Sequence, residues 1–387
     1  MKVPEYSITG DILSFINCGL QYRYYNRGKL IPSRQIQRWF GEFIHGVMEE
    51  AYLWWKTSKA PRNFPWGWRE HIRPIELTVS ERLKSKGLTP PFRIFCPYEG
   101  HNNMQGGCPD TNHPHKLIAS ERAELAINVW GQHLFPLITD AEVRLRANKG
   151  MEKLKNLRGV DYYQITGVAD VISSIKIDEA QQEDNEIVKF LRENEEVNRV
   201  IRELKSSGEE DYEVLVDYKG MRRPPLQSKT WEAHEWQILT YAWLREKQIG
   251  KRKVTAGILI YINELAPSKE DMEQLYDEVS SESTDVAPTG EDMQALLNWR
   301  KGGRLPILSE EYKKKRSIRI IPIHYDAIEK ALKEFDAVVL EIEKCIKEEA
   351  KKVNIKEAWP HNFEKRNCDI CDFNIHCYPD KYSVKVP

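Results

Sequence analysis

The segment YEVLVDYK (212–219) sets an acid and a base two positions apart, Asp217 and Lys219. Residues i and i+2 of an extended strand share a face, so the carboxylate and the ammonium stand side by side. That pairing suits phosphodiester hydrolysis. Carboxylates hold a hard divalent cation beside the phosphate, and a cationic side chain orients the attacking water or stabilises charge in the transition state. The triplet alone is weak, because Glu203-Leu-Lys205, Glu311-Tyr-Lys313 and Glu349-Ala-Lys351 repeat it. Context selects the first: only Asp217 sits in a strand-like run rich in β-branched and aromatic residues. Before it comes GVAD, ending in the lone acid Asp170. After it comes QILTY, in which Gln237 and Tyr241 lie one helical turn apart and face the same way. Upstream, His45 shares one side of a helix with Glu42 and Glu49.

Seven cysteines, an odd number in a long chain, argue against a disulfide framework and point to metal ligation. Cys368, Cys371 and Cys377 cluster near one end and Cys18 stands alone near the other. Together they can complete a four-thiolate site for zinc or for an iron-sulfur cluster. In FCPYEGHNNMQGGCPDTNHPHK, residues Cys96, His101, Cys108, His113 and His115 supply mixed thiolate and imidazole groups, either a small zinc site or unrelated polar loop residues. Tyr22, Arg23, Tyr24 and Tyr25 follow Cys18, and Arg222 and Arg223 follow the Asp217 strand. These groups suit stacking on bases and pairing with phosphates, although the aromatics could equally pack a helix.

The elements that must position these residues are legible in the apolar spacing. Ile36, Phe40, Phe43, Val47, Ala51 and Trp54 predict a helix over 33–56. Strands are expected at 163–172, 212–219, 253–262 and 318–323, and helices at 232–246 and 325–350. The order fits an α/β chain with a mixed central sheet flanked by helices, read as a single domain over 1–387. Three stretches interrupt it: 57–118, which holds the candidate zinc element, and 176–211 and 264–315, expected as surface insertions. At 387 residues and 41% apolar, the chain can bury a substantial core. No apolar run approaches the roughly 20 residues that span a bilayer. The opening lacks a signal-peptide layout, so a cytoplasmic location and no membrane association are expected. A net charge of −1 neither supports nor excludes a nucleic-acid partner.

Taken in order, His45, Gly-x-x-Asp at Asp170, Asp-x-Lys at Asp217 and Lys219, and Gln-x-x-x-Tyr at Gln237 and Tyr241 resemble the motifs of the RecB-type branch of the PD-(D/E)XK nucleases. With the four cysteines, the chain resembles the iron-sulfur subgroup of that branch. This subgroup includes CRISPR-associated adaptation nucleases and nuclease subunits of helicase-nuclease complexes. The resemblance implies a restriction-endonuclease-like core in which His45, Asp170, Asp217 and the Tyr218 carbonyl ligate Mg²⁺ or Mn²⁺. Lys219 would be the catalytic lysine, and Gln237 and Tyr241 would support the site or contact DNA. Cys18, Cys368, Cys371 and Cys377 would hold a [4Fe-4S] cluster that staples the two ends of the chain. The implied activity is that of a metal-dependent deoxyribonuclease, exonuclease or endonuclease, which processes DNA ends beside a helicase or in antiviral defence. The alternative is a catalytically weak DNA-binding or scaffold subunit. The chain departs from the family twice: Asp217 stands where Glu is more usual, and the 47 positions from Asp170 to Asp217 require an inserted element in that hairpin.

Overall fold

Every residue from Tyr212 to Tyr218 is buried, the condition of a strand covered on both faces. A computed structural model describes residues 3–30, 36–100, 107–110, 112–179, 184–250, 252–351, 354–362, 368–369 and 371–377. It places this strand centrally in a mixed six-stranded sheet. The strands are β1 (Glu5–Ser7), β2 (Asp140–Gly150), β3 (Tyr162–Ser173), β4 (Tyr212–Lys219), β5 (Lys253–Tyr261) and β6 (Ile318–Pro322). The path runs β1-β3-β4-β5-β6, and β2 pairs along β3. β1 with β3 and β4 with β5 are parallel; the other pairs are antiparallel.

Helices form a layer on each face. On one side α1 (Ile36–Lys56), α2 (Arg73–Ser85) and α3 (Ile118–Ala126) bury Phe43, Val47, Val79 and Ala123 with Val216, Tyr218 and Ile258. The 57–118 insertion is thus part of this wall, contributing Trp66, Ile75, Leu83 and Phe95 to the core. The 176–211 stretch, expected at the surface, forms α4 (Glu186–Glu193) and α5 (Glu195–Ser206). Their apolar stripes, Ile187, Leu191, Val197 and Ile201, join the same core. On the other side lie α6 (Lys229–Glu246) and a long C-terminal helix, with Ile238, Phe335 and Ile342 packed on Leu215 and Leu259. Between them α7 (Lys269–Ser280), α8 (Gly290–Leu297) and α9 (Glu310–Ser317) surround a small core of their own, including Met272, Leu296, Trp299 and Tyr312. The long helix is α10 (Tyr325–Glu349). Among the described residues no helix is long and apolar enough to cross a membrane.

One irregularity decides where the site lies. Ala141 packs on the α1 side, whereas Val143 and Ala147, of the same parity, pack on the α6 side. The alternation resets at Glu142, whose φ of 51° is left-handed, a conformation that costs a non-glycine residue on the order of 1–3 kcal/mol. On β3 the same reset falls between Ala169 and Val171. Glu142 and Asp170 occupy the positions skipped between the paired residues Ala141–Val171 and Val143–Ala169, so the two strands kink at the same level and carry a carboxylate each there.

Candidate metal centre

β3 and β4 pair only through Val171–Ser173 and Val214–Val216, so Asp170 and Asp217 stand just beyond the last paired residues, where the strands part. In place of the next ladder bond, the Tyr218 backbone N–H donates to Asp170 Oδ2 at 2.8 Å. From α1, His45 brings Nδ1 to 3.1 Å from the same oxygen. Glu142 completes a group of three potential ligand atoms that lie within 4.8 Å of one another. On the α6 side, Lys219 Nζ stands 2.5 Å from Asp217 Oδ2 and donates to Gln237 Oε1 at 2.6 Å. Gln237 Nε2 in turn donates to Asp217 Oδ1 at 3.2 Å and to the Tyr241 hydroxyl at 3.1 Å. Gly167 makes room for this arrangement, since a Cβ there would lie 2.4 Å from the Tyr241 ring. His45, Asp170, Asp217, Tyr218, Lys219, Gln237 and Tyr241 therefore meet at one place.

Two features differ from the sequence reading. First, the closest metal-ligand triad includes Glu142 rather than Asp217. Glu142 belongs to β2, which was missed even though DAEVRLRANKG alternates cleanly between apolar Val143, Leu145 and Ala147 and polar Glu142, Arg144 and Arg146. Second, Asp217 is only 3% exposed, because β4 is a central strand covered on both faces. His45, with its side chain 32% exposed, forms the more open wall.

The electrostatics suit a cation. Burial raises the Asp217 carboxyl above the usual range, with Lys219 opposing. Loss of solvent, then the charges of Asp170 and Glu49, push Glu142 up to about 7. Burial pushes His45 down, but the Asp170 carboxylate beside it outweighs this and holds the imidazole at about 9. Asp217 Oδ2 is buried without an aligned hydrogen-bond donor, although the Lys219 ammonium is close. Crowded carboxylates, an imidazole and an orphaned buried oxygen are a donor set that fits a hard divalent ion.

The two ends of the chain are laced together. Gly19 abuts Pro360 so closely that a Cβ would lie 2.8 Å from its ring, and the Leu20 N–H donates to the Pro360 carbonyl at 2.8 Å. Asn362 Nδ2 donates to the Ile16 carbonyl at 2.7 Å. Cys18 and Cys377 pack on the same core. Burial, then the charges of Cys18, Cys371 and Cys368, push the Cys377 thiol up to about 11, so Cys377 lies within electrostatic reach of the other three. Among the described residues their sulfurs do not close into a group as compact as that of His45, Glu142 and Asp170; as a donor type, four thiols would suit an iron-sulfur cluster or zinc.

The remaining candidates divide. Tyr22 is buried and donates to Asp11 Oδ1 at 3.0 Å, and Arg23 Nε grips both oxygens of Glu349 at 2.9 and 2.7 Å. Tyr24 packs on Phe373, with ring centroids 5.4 Å apart, and the Tyr25 hydroxyl accepts from Arg38 at 3.1 Å. Arg222 pairs with Glu278, and Arg223 donates to Asp285 at 2.8 Å. The residues offered as DNA contacts are thus engaged inside the protein. In the insertion, Cys96 Sγ lies 3.2 Å from His115 Nδ1, and Cys96 and Cys108 are both buried and interact. His113 stacks on Phe92 at 4.1 Å, and His101 lies outside the described residues. Among the described residues these donors form pairs, not the closed triad of His45, Glu142 and Asp170.

Comparison of the sequence with protein-family models gave no match, and a search of curated proteins gave none.

Proposed function

We propose that this chain is a divalent-metal-dependent DNA nuclease with a restriction-endonuclease-like core, acting where β3 and β4 part. The observation that carries the reading is the grouping of His45, Glu142 and Asp170 within 4.8 Å, beside the buried Asp217–Lys219 pair. His45, Glu142 and Asp170, with Asp217 adjacent, would hold Mg²⁺ or Mn²⁺. When bound, such an ion polarises the phosphoryl oxygen and acidifies a water. The protein's own groups do the rest. The Tyr218 amide fixes the Asp170 carboxylate, and Gln237 bridges Asp217 and Lys219 so that neither can turn away. Lys219 presents its charge to the developing negative charge on the phosphate.

Cys18, Cys368, Cys371 and Cys377 are read as ligands of a [4Fe-4S] cluster that staples the ends of the chain. Hydrolysis moves no electrons, so the role is structural. A helicase or another DNA-processing protein is the proposed partner. The test is incubation of purified protein with end-labelled single- and double-stranded DNA and Mn²⁺. Cleavage should disappear with EDTA and in Asp170→Asn. DNA binding without cleavage would favour the scaffold reading.

A further inference from the structure

Beyond the Glu142–Asp170 pair, the register of β2 and β3 continues with Arg144 opposite Val168, Arg146 opposite Thr166, Asn148 opposite Gln164, and Gly150 opposite Tyr162. Directly opposed residues share a face, so these pairs extend outward the side of the sheet that carries the two carboxylates. The reverse side is closed, with Leu145, Ile165 and Ala169 buried in the α6 core. This side is open. Arg144, Arg146 and Asn148 are exposed, and Val168 and Tyr162 keep 38% and 37% of their surfaces in solvent.

A solvated face is ordinary for an antiparallel pair. Two unneutralised arginines in line with a metal site are not. Arg23, Arg223, Arg316 and Arg319 each have a carboxylate partner, whereas Arg144 and Arg146 have none among the described residues. An acidic site repels a polyanion, so a phosphate chain approaching Asp170 and Glu142 needs cations just outside it, and these two arginines stand there. They lie about 6.8 Å apart along the strand, in line with the site. Tyr162 adds an aromatic ring on which a base can stack, and Val168 adds apolar surface. Along Gln164–Thr166 the ladder is bordered by β1, which sets Glu5 and Ser7 at its far edge, so the open face is at most three strands wide, at roughly 5 Å between strands, and suits one strand better than a duplex.

We propose that this face is a track for a single nucleic-acid strand, with its phosphates on Arg144 and Arg146 and the strand leading to the Glu142–Asp170 end. The inference rests on the nuclease reading only for what happens at that end, so binding is tested without catalysis. Anisotropy of a labelled oligothymidylate is measured in EDTA for the wild type, for Arg144→Gln/Arg146→Gln, and for Arg304→Gln as an exposed control in the 264–315 insertion, away from β2. Thermal unfolding verifies the fold of each. Losing two phosphate contacts, at a salt slope of about 0.7 each, should weaken binding roughly 25-fold at about 0.1 M salt and lower the slope by about 1.4. Arg304→Gln should bind as the wild type does. Unchanged affinity in the double variant, an equal loss in Arg304→Gln, or no binding by the wild type would overturn the track. Tighter, equally arginine-dependent binding of duplex would overturn the single-strand assignment. Arginine-dependent binding without Mn²⁺-dependent cleavage would keep the track and sink the nuclease reading. Cleavage with wild-type KM in the double variant would do the reverse.

Discussion

Lys219→Met tests the interior of the site without any assay of activity. The change keeps most of the side-chain volume and removes the charge beside Asp217, which is 3% exposed. Asp217 then retains only the Gln237 amide at 3.2 Å, and Gln237 Oε1 loses its donor at 2.6 Å. Removing one partner of a buried ion pair costs about 3–5 kcal/mol, and the Lys219 side chain is 13% exposed, so the lower end, about 3 kcal/mol, applies. Replacing both partners removes the uncompensated charge, so Asp217→Asn/Lys219→Met should lie within about 1 kcal/mol of the wild type. The measurement is urea unfolding of the four proteins of this cycle at pH 7 in EDTA, followed by tryptophan fluorescence. A single variant as stable as the wild type, or a double variant as unstable as the sum of the singles, would refute the claim that the pair is buried and mutually dependent.

Asp285 supplies a pH dependence away from the metal site. Burial pushes its carboxyl up, but Arg223 and then Arg319 outweigh this and hold it at about 2, against 3.8 for the free group. Because the folded value is the lower one, the stabilisation is present above the unfolded pKa and fades as pH falls through the folded one. The stability gap between wild type and Asp285→Asn should therefore be about 2 kcal/mol at neutral pH and shrink as pH falls from about 4 to about 2, and a pH-independent gap would contradict the assignment. Protein purified without oxygen should be brown and hold about four iron atoms per chain. Cys18→Ser should lose iron and protease resistance together, and Cys345→Ser, on α10 and packed on the core, should lose neither; full iron in the Cys18 variant would show that the staple is misassigned. If the insertion holds zinc, elemental analysis should find about one zinc per chain, lost in Cys96→Ser/Cys108→Ser; zinc-free protein prepared without chelators would return this segment to ordinary loop.

Local periodicity made much of the frame legible. The strand at 212–219 and the long helix from 325 follow the sequence pattern to within a residue, because each has a face that only burial can satisfy. The same-face relation of Asp217 and Lys219 is a property of the strand period and needed no tertiary information. What the pattern could not supply depends on neighbours distant in sequence. The burial of Asp217 follows only once β3 and β5 are set on either side of it. Glu142 escaped because its role comes from a left-handed residue that turns the strand toward Asp170, and a glutamate gives no local signal of that conformation. Arg23 and Arg223 read as free cations because their partners, Glu349 and Asp285, lie far along the chain. The apolar stripes of the helices in 176–211 went unread because their charged faces dominate the composition.

On the proposed reading, the carboxylates at the parting of β3 and β4 would hold a divalent ion where DNA is cut. The most direct measurement follows an end-labelled oligonucleotide in Mn²⁺, in EDTA, and with Glu142→Gln and Asp170→Asn. Mn²⁺-dependent products are expected from the wild type, none in EDTA, and at least a 100-fold loss, about 2.7 kcal/mol, in each variant that keeps its fold. Cleavage that survives EDTA, or wild-type turnover in a folded Asp170→Asn protein, would contradict this reading.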